Sequence, residues 1–118
     1  MIWLHEIIDD PKRDNIYLVT EYHSAGSLGD KVRKLNESRE LGNRQLFKEG
    51  KPVDTKGISA WKVRTYLIDM LKALYYCHEV VGLIHRDIKP DNIVINHNDE
   101  AILVDFGISA LIEDTDLT

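Results

Sequence analysis

The sequence predicts an α+β fold within one modest domain of 118 residues. Two pairs of short segments rich in β-branched and aromatic residues predict antiparallel hairpins, one in each half of the chain. Between these pairs, apolar residues recur at the spacing of an amphipathic helix. An apolar share of 43% supports a packed core rather than a disordered chain.

The first predicted hairpin pairs residues 2–8 with residues 16–22, because both segments are rich in large apolar side chains. The polar residues 9–15, which include a proline, are expected to form its turn. A short helix is predicted over residues 28–35. The polar, glycine-containing residues 36–57 are predicted to form a surface loop.

A long amphipathic helix is predicted over residues 60–80. Ser59 can cap its first turn, and Gly82 is placed to end it. Its apolar positions follow the helical period, and they are Val63, Leu67, Met70, Leu71, Leu74 and Cys77.

The second predicted hairpin pairs residues 93–95 with residues 101–104. Polar side chains flank it on both sides, and a hairpin returns its two ends to the same place. We therefore expect one pocket to hold Asp87, Lys89, Asn92 and Asp105.

That pocket suits phosphoryl transfer. Asn92 and Asp105 offer the oxygen ligands that Mg²⁺ prefers, and Mg²⁺ usually takes only one or two from the protein. Asp87 can orient a hydroxyl group and accept its proton, and Lys89 can neutralise charge on a transferred phosphoryl group. The reaction depends mainly on positioning and electrostatic stabilisation, which these groups supply.

The segments His-Arg-Asp-Ile-Lys-Pro-Asp-Asn (residues 85–92) and Asp-Phe-Gly (105–107) resemble the catalytic and metal loops of eukaryotic serine/threonine protein kinases. The resemblance implies a fragment of a protein-kinase-like fold. Residues 1–21 would be the last strands of the β-rich lobe, residues 22–28 the hinge, and residues 29–118 the first half of the helical lobe.

The same resemblance implies ATP and Mg²⁺ as cofactors and serine or threonine of a protein as the acceptor. The catalytic residues would be Asp87 and Lys89, and the metal ligands Asn92 and Asp105. The implied nucleotide-binding positions are Glu21 and His23 at the adenine edge, Ser27 at the ribose, Val94 under the adenine ring, and Lys89, Asn92 and Asp105 at the phosphates and metal.

Residues 6–11 (Glu-Ile-Ile-Asp-Asp-Pro) and the catalytic loop most resemble the calcium/calmodulin-dependent protein kinase kinases. That resemblance implies an upstream kinase whose protein substrate is another kinase. Calmodulin is then a candidate partner, although this segment does not itself show it.

The sequence also departs from the family, because it has no glycine-rich loop, no strand lysine in a Val-Ala-x-Lys context and no Ala-Pro-Glu. We therefore expect the isolated chain to have little kinase activity and to expose apolar surface. A natural truncation, an incomplete gene model and a cut piece all remain open. The alternative function is a truncated, non-catalytic binding module. Small-molecule kinases are disfavoured by Arg86, Lys89 and Phe106-Gly107.

Composition disfavours two further classes of function. A net charge of −5 argues against a nucleic-acid partner. The chain contains no apolar run of the roughly 18 residues that would span a membrane. The single cysteine, Cys77, excludes an internal disulfide and favours a cytoplasmic, intracellular setting.

Overall fold

The computed structural model describes residues 2–13, 15–52 and 56–112, and it has the predicted α+β character. In chain order the strands and α-helices are β1 (Leu4–Asp9), β2 (Ile16–Thr20), α1 (Leu28–Lys48), α2 (Ala60–Tyr75), β3 (Leu83–Ile84), β4 (Ile93–Ile95), β5 (Ala101–Leu103) and β6 (Ala110–Leu111). A π-helical turn covers Tyr76–Val81, and a 3-10 turn covers Pro90–Asn92.

Three separate antiparallel strand pairs form in the described ranges: β1 with β2, β3 with β6, and β4 with β5. Both predicted hairpins are confirmed. The register of the first hairpin shifts between Leu4 and Glu6, whereas β4 and β5 pair in continuous register from Ile93 opposite Leu103. The two-residue pairing of β3 with β6 was not predicted, since such short strands leave no periodic pattern.

Helix α1 is much longer than predicted. The prediction of a loop over residues 36–57 is wrong as far as Lys48, because the helix continues to that residue. A capping box between Ser27 and Asp30 starts the helix, and most residues of its second half are good helix formers. Gly42 has open space around it and costs only about 1 kcal/mol relative to alanine. Residues 53–55 of the predicted loop lie outside the described residues.

Helix α2 confirms the predicted start, with the Ser59 hydroxyl accepting a hydrogen bond from the Lys62 N–H. The predicted single helix instead widens into the π-helical turn after Tyr75. Gly82 ends this turn with a φ of 72°, the left-handed conformation that glycine adopts without strain.

The core lies between α2 and the β4–β5 pair. Leu103 is fully buried, and Met70 of α2 and Ile95 of β4 belong to the same apolar cluster. The Asp69 carboxylate also accepts a hydrogen bond of 3.0 Å from the Ala101 N–H, so that α2 is fixed to the start of β5.

The apolar face predicted for the long helix is only partly covered. Met70 and Cys77 are buried, but Val63, Leu67 and Leu71 are each at least half exposed. The expectation of exposed apolar surface is thus confirmed for the described part of the chain. None of the helices in that part has the length and apolarity needed to cross a bilayer.

Candidate active site

His85 organises the catalytic loop from inside the protein. Its side chain is 1% exposed. The ring Nε2 lies 2.9 Å from the carbonyl oxygen of Val104, and Nδ1 lies 3.2 Å from the backbone nitrogen of Asp87. Because a carbonyl only accepts and a backbone N–H only donates, Nε2 carries the ring hydrogen. His85 therefore joins the catalytic loop to the segment that precedes Asp105.

Asp87, Lys89 and Asn92 form one polar cluster. The Asn92 side-chain nitrogen donates to the Asp87 carboxylate at 2.8 Å and to the Asp87 carbonyl at 2.9 Å. The Lys89 ammonium lies 3.3 Å from the same carboxylate. Since the Asn92 amide nitrogen is engaged in this way, the amide oxygen is the atom that can bind a cation.

Asp105 directly follows Val104, whose backbone is hydrogen-bonded to both Asn92 and His85. The Val104 N–H donates to the Asn92 carbonyl at 3.0 Å, while the Val104 carbonyl accepts from His85. Asp105 itself has a φ of 61°, in a region that non-glycine residues rarely occupy, and its carboxylate accepts from the Gly107 N–H at 3.3 Å. The structure thus brings together the two polar segments that the second hairpin was predicted to join.

Phe106 supports this arrangement from the metal-loop side. Its ring meets the His85 ring edge-on, with centroids 4.7 Å apart and an interplanar angle of 67°. One aromatic contact and one hydrogen bond therefore fix His85 against the Val104–Phe106 segment.

Arg86 shows a feature that sequence reasoning missed. Its φ is 68°, and its Nε donates to the carbonyl of Ile108 beyond the metal loop. A positive φ at a non-glycine residue costs about 1–3 kcal/mol, and such residues cluster at functional sites. No residue-type signal marks such a position, so only the structure identifies it.

The backbone at Glu21 and His23 forms the edge of the predicted hinge at which adenine would bind. The Glu21 N–H donates to the Trp3 carbonyl, and the Glu21 carboxylate accepts from the Trp3 N–H at 2.9 Å, which lowers the pKa of Glu21. His23 Nε2 lies 3.4 Å from that carboxylate without hydrogen-bond geometry. Within the described residues, no hydrogen bond uses the Glu21 carbonyl or the His23 N–H.

Ser27 and Val94 lie side by side, as an isolated bridge pairs their backbones. The Ser27 side chain is engaged in capping α1, since its hydroxyl accepts from the Asp30 N–H and donates to the Asp30 carboxylate at 2.9 Å. A ribose contact by this hydroxyl stays a prediction, and it would compete with the cap.

An open cavity of about 640 Å³ connects the first hairpin to the metal loop. It is lined by Ile2, Leu4, Leu18, Thr20, Leu83, Val104, Asp105, Phe106 and Gly107. Thr20, at the end of β2, and Asp105 therefore line the same cavity, which is mostly apolar and has the Asp105 carboxylate at one side.

The side-chain oxygens of Asn92 and Asp105 suit a magnesium ion whose remaining ligands come from phosphate and water. In the described residues there is no cluster of three or more His, Cys, Asp or Glu side chains that would hold a metal by itself. Two protein oxygens, from Asn92 and Asp105, meet the usual demand of Mg²⁺ when phosphate and water complete its shell.

Comparison with known proteins decides the family. A family model described as the protein kinase domain matches residues 1–118. The chain belongs to the protein kinase domain family. This agrees with the reading of residues 85–92 and 105–107, and it excludes an accidental likeness between two polar loops.

Individual protein kinases resemble the chain over most of its length. It is 30% identical over 117 residues to a probable serine/threonine-protein kinase of Dictyostelium discoideum, covering 99% of this chain and 13% of that protein. It is 31% identical to CBL-interacting protein kinase 15 of Oryza sativa, covering 96% of this chain and 21% of the relative. It is 38% identical to the probable serine/threonine protein kinase IREH1 of Arabidopsis thaliana, covering 88% and 7%. The chain thus spans about a fifth or less of these relatives.

Proposed function

We propose that the protein containing this chain transfers the γ-phosphoryl group of ATP to serine or threonine residues of other proteins. The observation that carries the proposal is the cluster of Asp87, Lys89 and Asn92, hydrogen-bonded through the backbone to the residue before Asp105. Membership of the protein kinase family and serine/threonine kinase relatives support it.

Each side chain has a role that its contacts support. The Asp87 carboxylate would accept the proton of the acceptor hydroxyl, because the Asn92 amide and the Lys89 ammonium orient it from two sides. Lys89 would then stabilise charge on the transferred group. Asn92 and Asp105 would hold Mg²⁺, which when bound neutralises the phosphate charge. The Glu21 carbonyl and the His23 N–H, which no hydrogen bond in the described residues uses, would pair with adenine.

We further propose that the substrate is another protein kinase. Support comes from the likeness of residues 6–11 and the catalytic loop to the calcium/calmodulin-dependent protein kinase kinases, which implies an upstream activator. Calmodulin dependence and an intracellular location belong to the same proposal. The single cysteine agrees with a reducing compartment.

A second candidate function is a non-catalytic binding module made of residues 1–118 alone. Residues 1–118 contain no glycine-rich loop and no lysine in a Val-Ala-x-Lys context, so we expect this segment to be nearly inactive by itself. The exposed apolar side chains of α2 offer a surface for such binding.

The test is phosphate transfer from radiolabelled ATP to a panel of protein kinases by the full-length protein and by residues 1–118. We expect transfer only by the full-length protein. Asp87→Ala should lower it by at least about 100-fold, since a general base contributes on that scale. Equal transfer by Asp87→Ala and the wild type would refute the assigned role, whereas transfer by the short chain would refute the inactive module.

A further inference from the structure

The first half of α1 lies directly against the catalytic loop. Gly29 is the point of closest approach, because a Cβ atom built there would lie 2.2 Å from the Asp91 carboxylate. Asp91 belongs to the 3-10 turn that also contains Asn92. A side chain at Gly29 would therefore displace the Asp91 carboxylate from its present position.

One turn further along α1, Arg33 reaches the same carboxylate. Its guanidinium donates to Asp91 at 2.8 Å and to Asp30 at 2.6 Å. Asp30 is held in turn by the Ser27 backbone and hydroxyl in the capping box. The guanidinium is thus oriented by two carboxylates, one on its own helix and one on the catalytic loop.

The contacts continue from this turn into the proposed active site. Asn92, the residue after Asp91, donates twice to Asp87 and accepts at its carbonyl from the Val104 N–H. A displacement of the Asp91 turn would therefore move the partner of the proposed base and the anchor of the metal loop together.

We infer that Arg33 is a positioning residue, which holds the Asp91–Asn92 turn so that Asn92 orients Asp87 and anchors Val104. The inference rests on the proposed phosphoryl transfer, whereas the contacts that carry it are hydrogen bonds between α1 and the turn that contains Asp91. The solvent exposure of the Arg33–Asp91 pair limits the size of the expected effect. The Arg33 side chain is 57% exposed and that of Asp91 50%, and such pairs contribute up to about 1 kcal/mol, or about fivefold in an equilibrium.

The kinetic test compares Arg33→Ala, Arg33→Lys and the control Arg13→Ala in the full-length protein. Arg13 is also exposed and also pairs with an aspartate, Asp10, but it lies in the turn of the first hairpin. We expect Arg33→Ala to lower kcat by up to about fivefold with little change in the KM for ATP. Arg33→Lys should fall between, because an ammonium cannot bridge two carboxylates as a guanidinium does. Arg13→Ala should match the wild type.

A second readout does not depend on activity. Amide hydrogen exchange at the Val104 N–H, which donates to Asn92, should quicken in Arg33→Ala and not in Arg13→Ala. Exchange and kcat unchanged in Arg33→Ala would overturn the inference. A selective gain on peptides with basic residues would also overturn it, because Arg33 would then be blocking an acidic substrate site. If no variant, including the wild type, transfers phosphate, the proposed function fails, and the exchange result alone decides on Arg33.

Discussion

The β1–β2 and β4–β5 hairpins differ in what they pack against. Every residue of β1 and β2 is exposed, whereas β4 and β5 alternate between buried and half-buried positions. Helix α2 covers β5 and contributes Tyr66 and Met70 to its core cluster. Similar local sequences thus form one strand pair without a core and one that belongs to the core.

This difference corresponds to two roles in the proposed function. Asn92 and Val104 flank the buried hairpin, so the proposed base and the proposed metal ligands are attached to the best-packed part of the described chain. The exposed hairpin contributes one wall of the open cavity and leads into the predicted hinge. Rigid support matters most for the groups that perform chemistry, because small displacements there are costly in rate.

The largest effect should come from removing the centre of the buried hairpin. Leu103 is 0% exposed, so Leu103→Ala should lower the free energy of unfolding by about 2–5 kcal/mol. Urea unfolding followed by circular dichroism measures this loss. A loss below about 1 kcal/mol would show that the β4–β5 core is not tightly packed.

An intermediate effect is expected at the turn of the same hairpin. The buried Tyr66 hydroxyl donates to Asp99 at 2.6 Å, and this hydrogen bond is the main reason that the pKa of Asp99 lies below its usual 3.8. Carboxylates with a lowered pKa stabilise the fold at pH values well above the unfolded pKa, and the contribution is lost as pH falls through the folded value.

Tyr66→Phe should therefore destabilise the protein near pH 7 and flatten the fall in stability below pH 4. Urea unfolding at a series of pH values, with Tyr17→Phe in the exposed hairpin as control, measures both changes. Parallel pH profiles for Tyr66→Phe and the wild type would contradict the assignment of the Asp99 pKa to this hydrogen bond.

The smallest effect is expected in the exposed hairpin. Leu18 is 63% exposed, so Leu18→Ala should change the free energy of unfolding by no more than about 0.5 kcal/mol. A loss close to that of Leu103→Ala would mean that the first hairpin is buried in the protein in solution, and the comparison between the hairpins would fail.

The sequence predicted what depends on local pattern. Both hairpins, the start of α2 and the end of the following π-helical turn at Gly82 follow from β-branched runs, a capping serine and a glycine. The meeting of Asn92 with the segment before Asp105 followed from the geometry of a hairpin. These features needed no knowledge of distant contacts.

Features that depend on tertiary contact or on competing local tendencies were missed. Helix α1 was predicted too short because the polar composition and glycines of residues 36–57 favour a loop, whereas the helix propensity of the same residues extends the helix to Lys48. The π-helical turn and the positive φ of Arg86 leave no mark on residue types. The contact of Arg33 with Asp91 joins residues 58 positions apart, which periodicity cannot reveal.

The most direct test of the active-site assignment is magnesium-dependent binding of a fluorescent ATP analogue to the full-length protein and to Asp87→Ala and Asp105→Ala. Asp87→Ala should bind the nucleotide with the same magnesium dependence as the wild type while failing to transfer phosphate. Asp105→Ala should lose the magnesium-dependent part of binding, since one of the two proposed protein ligands is gone. Identical magnesium dependence in all three proteins would contradict the proposed division between base and metal ligand.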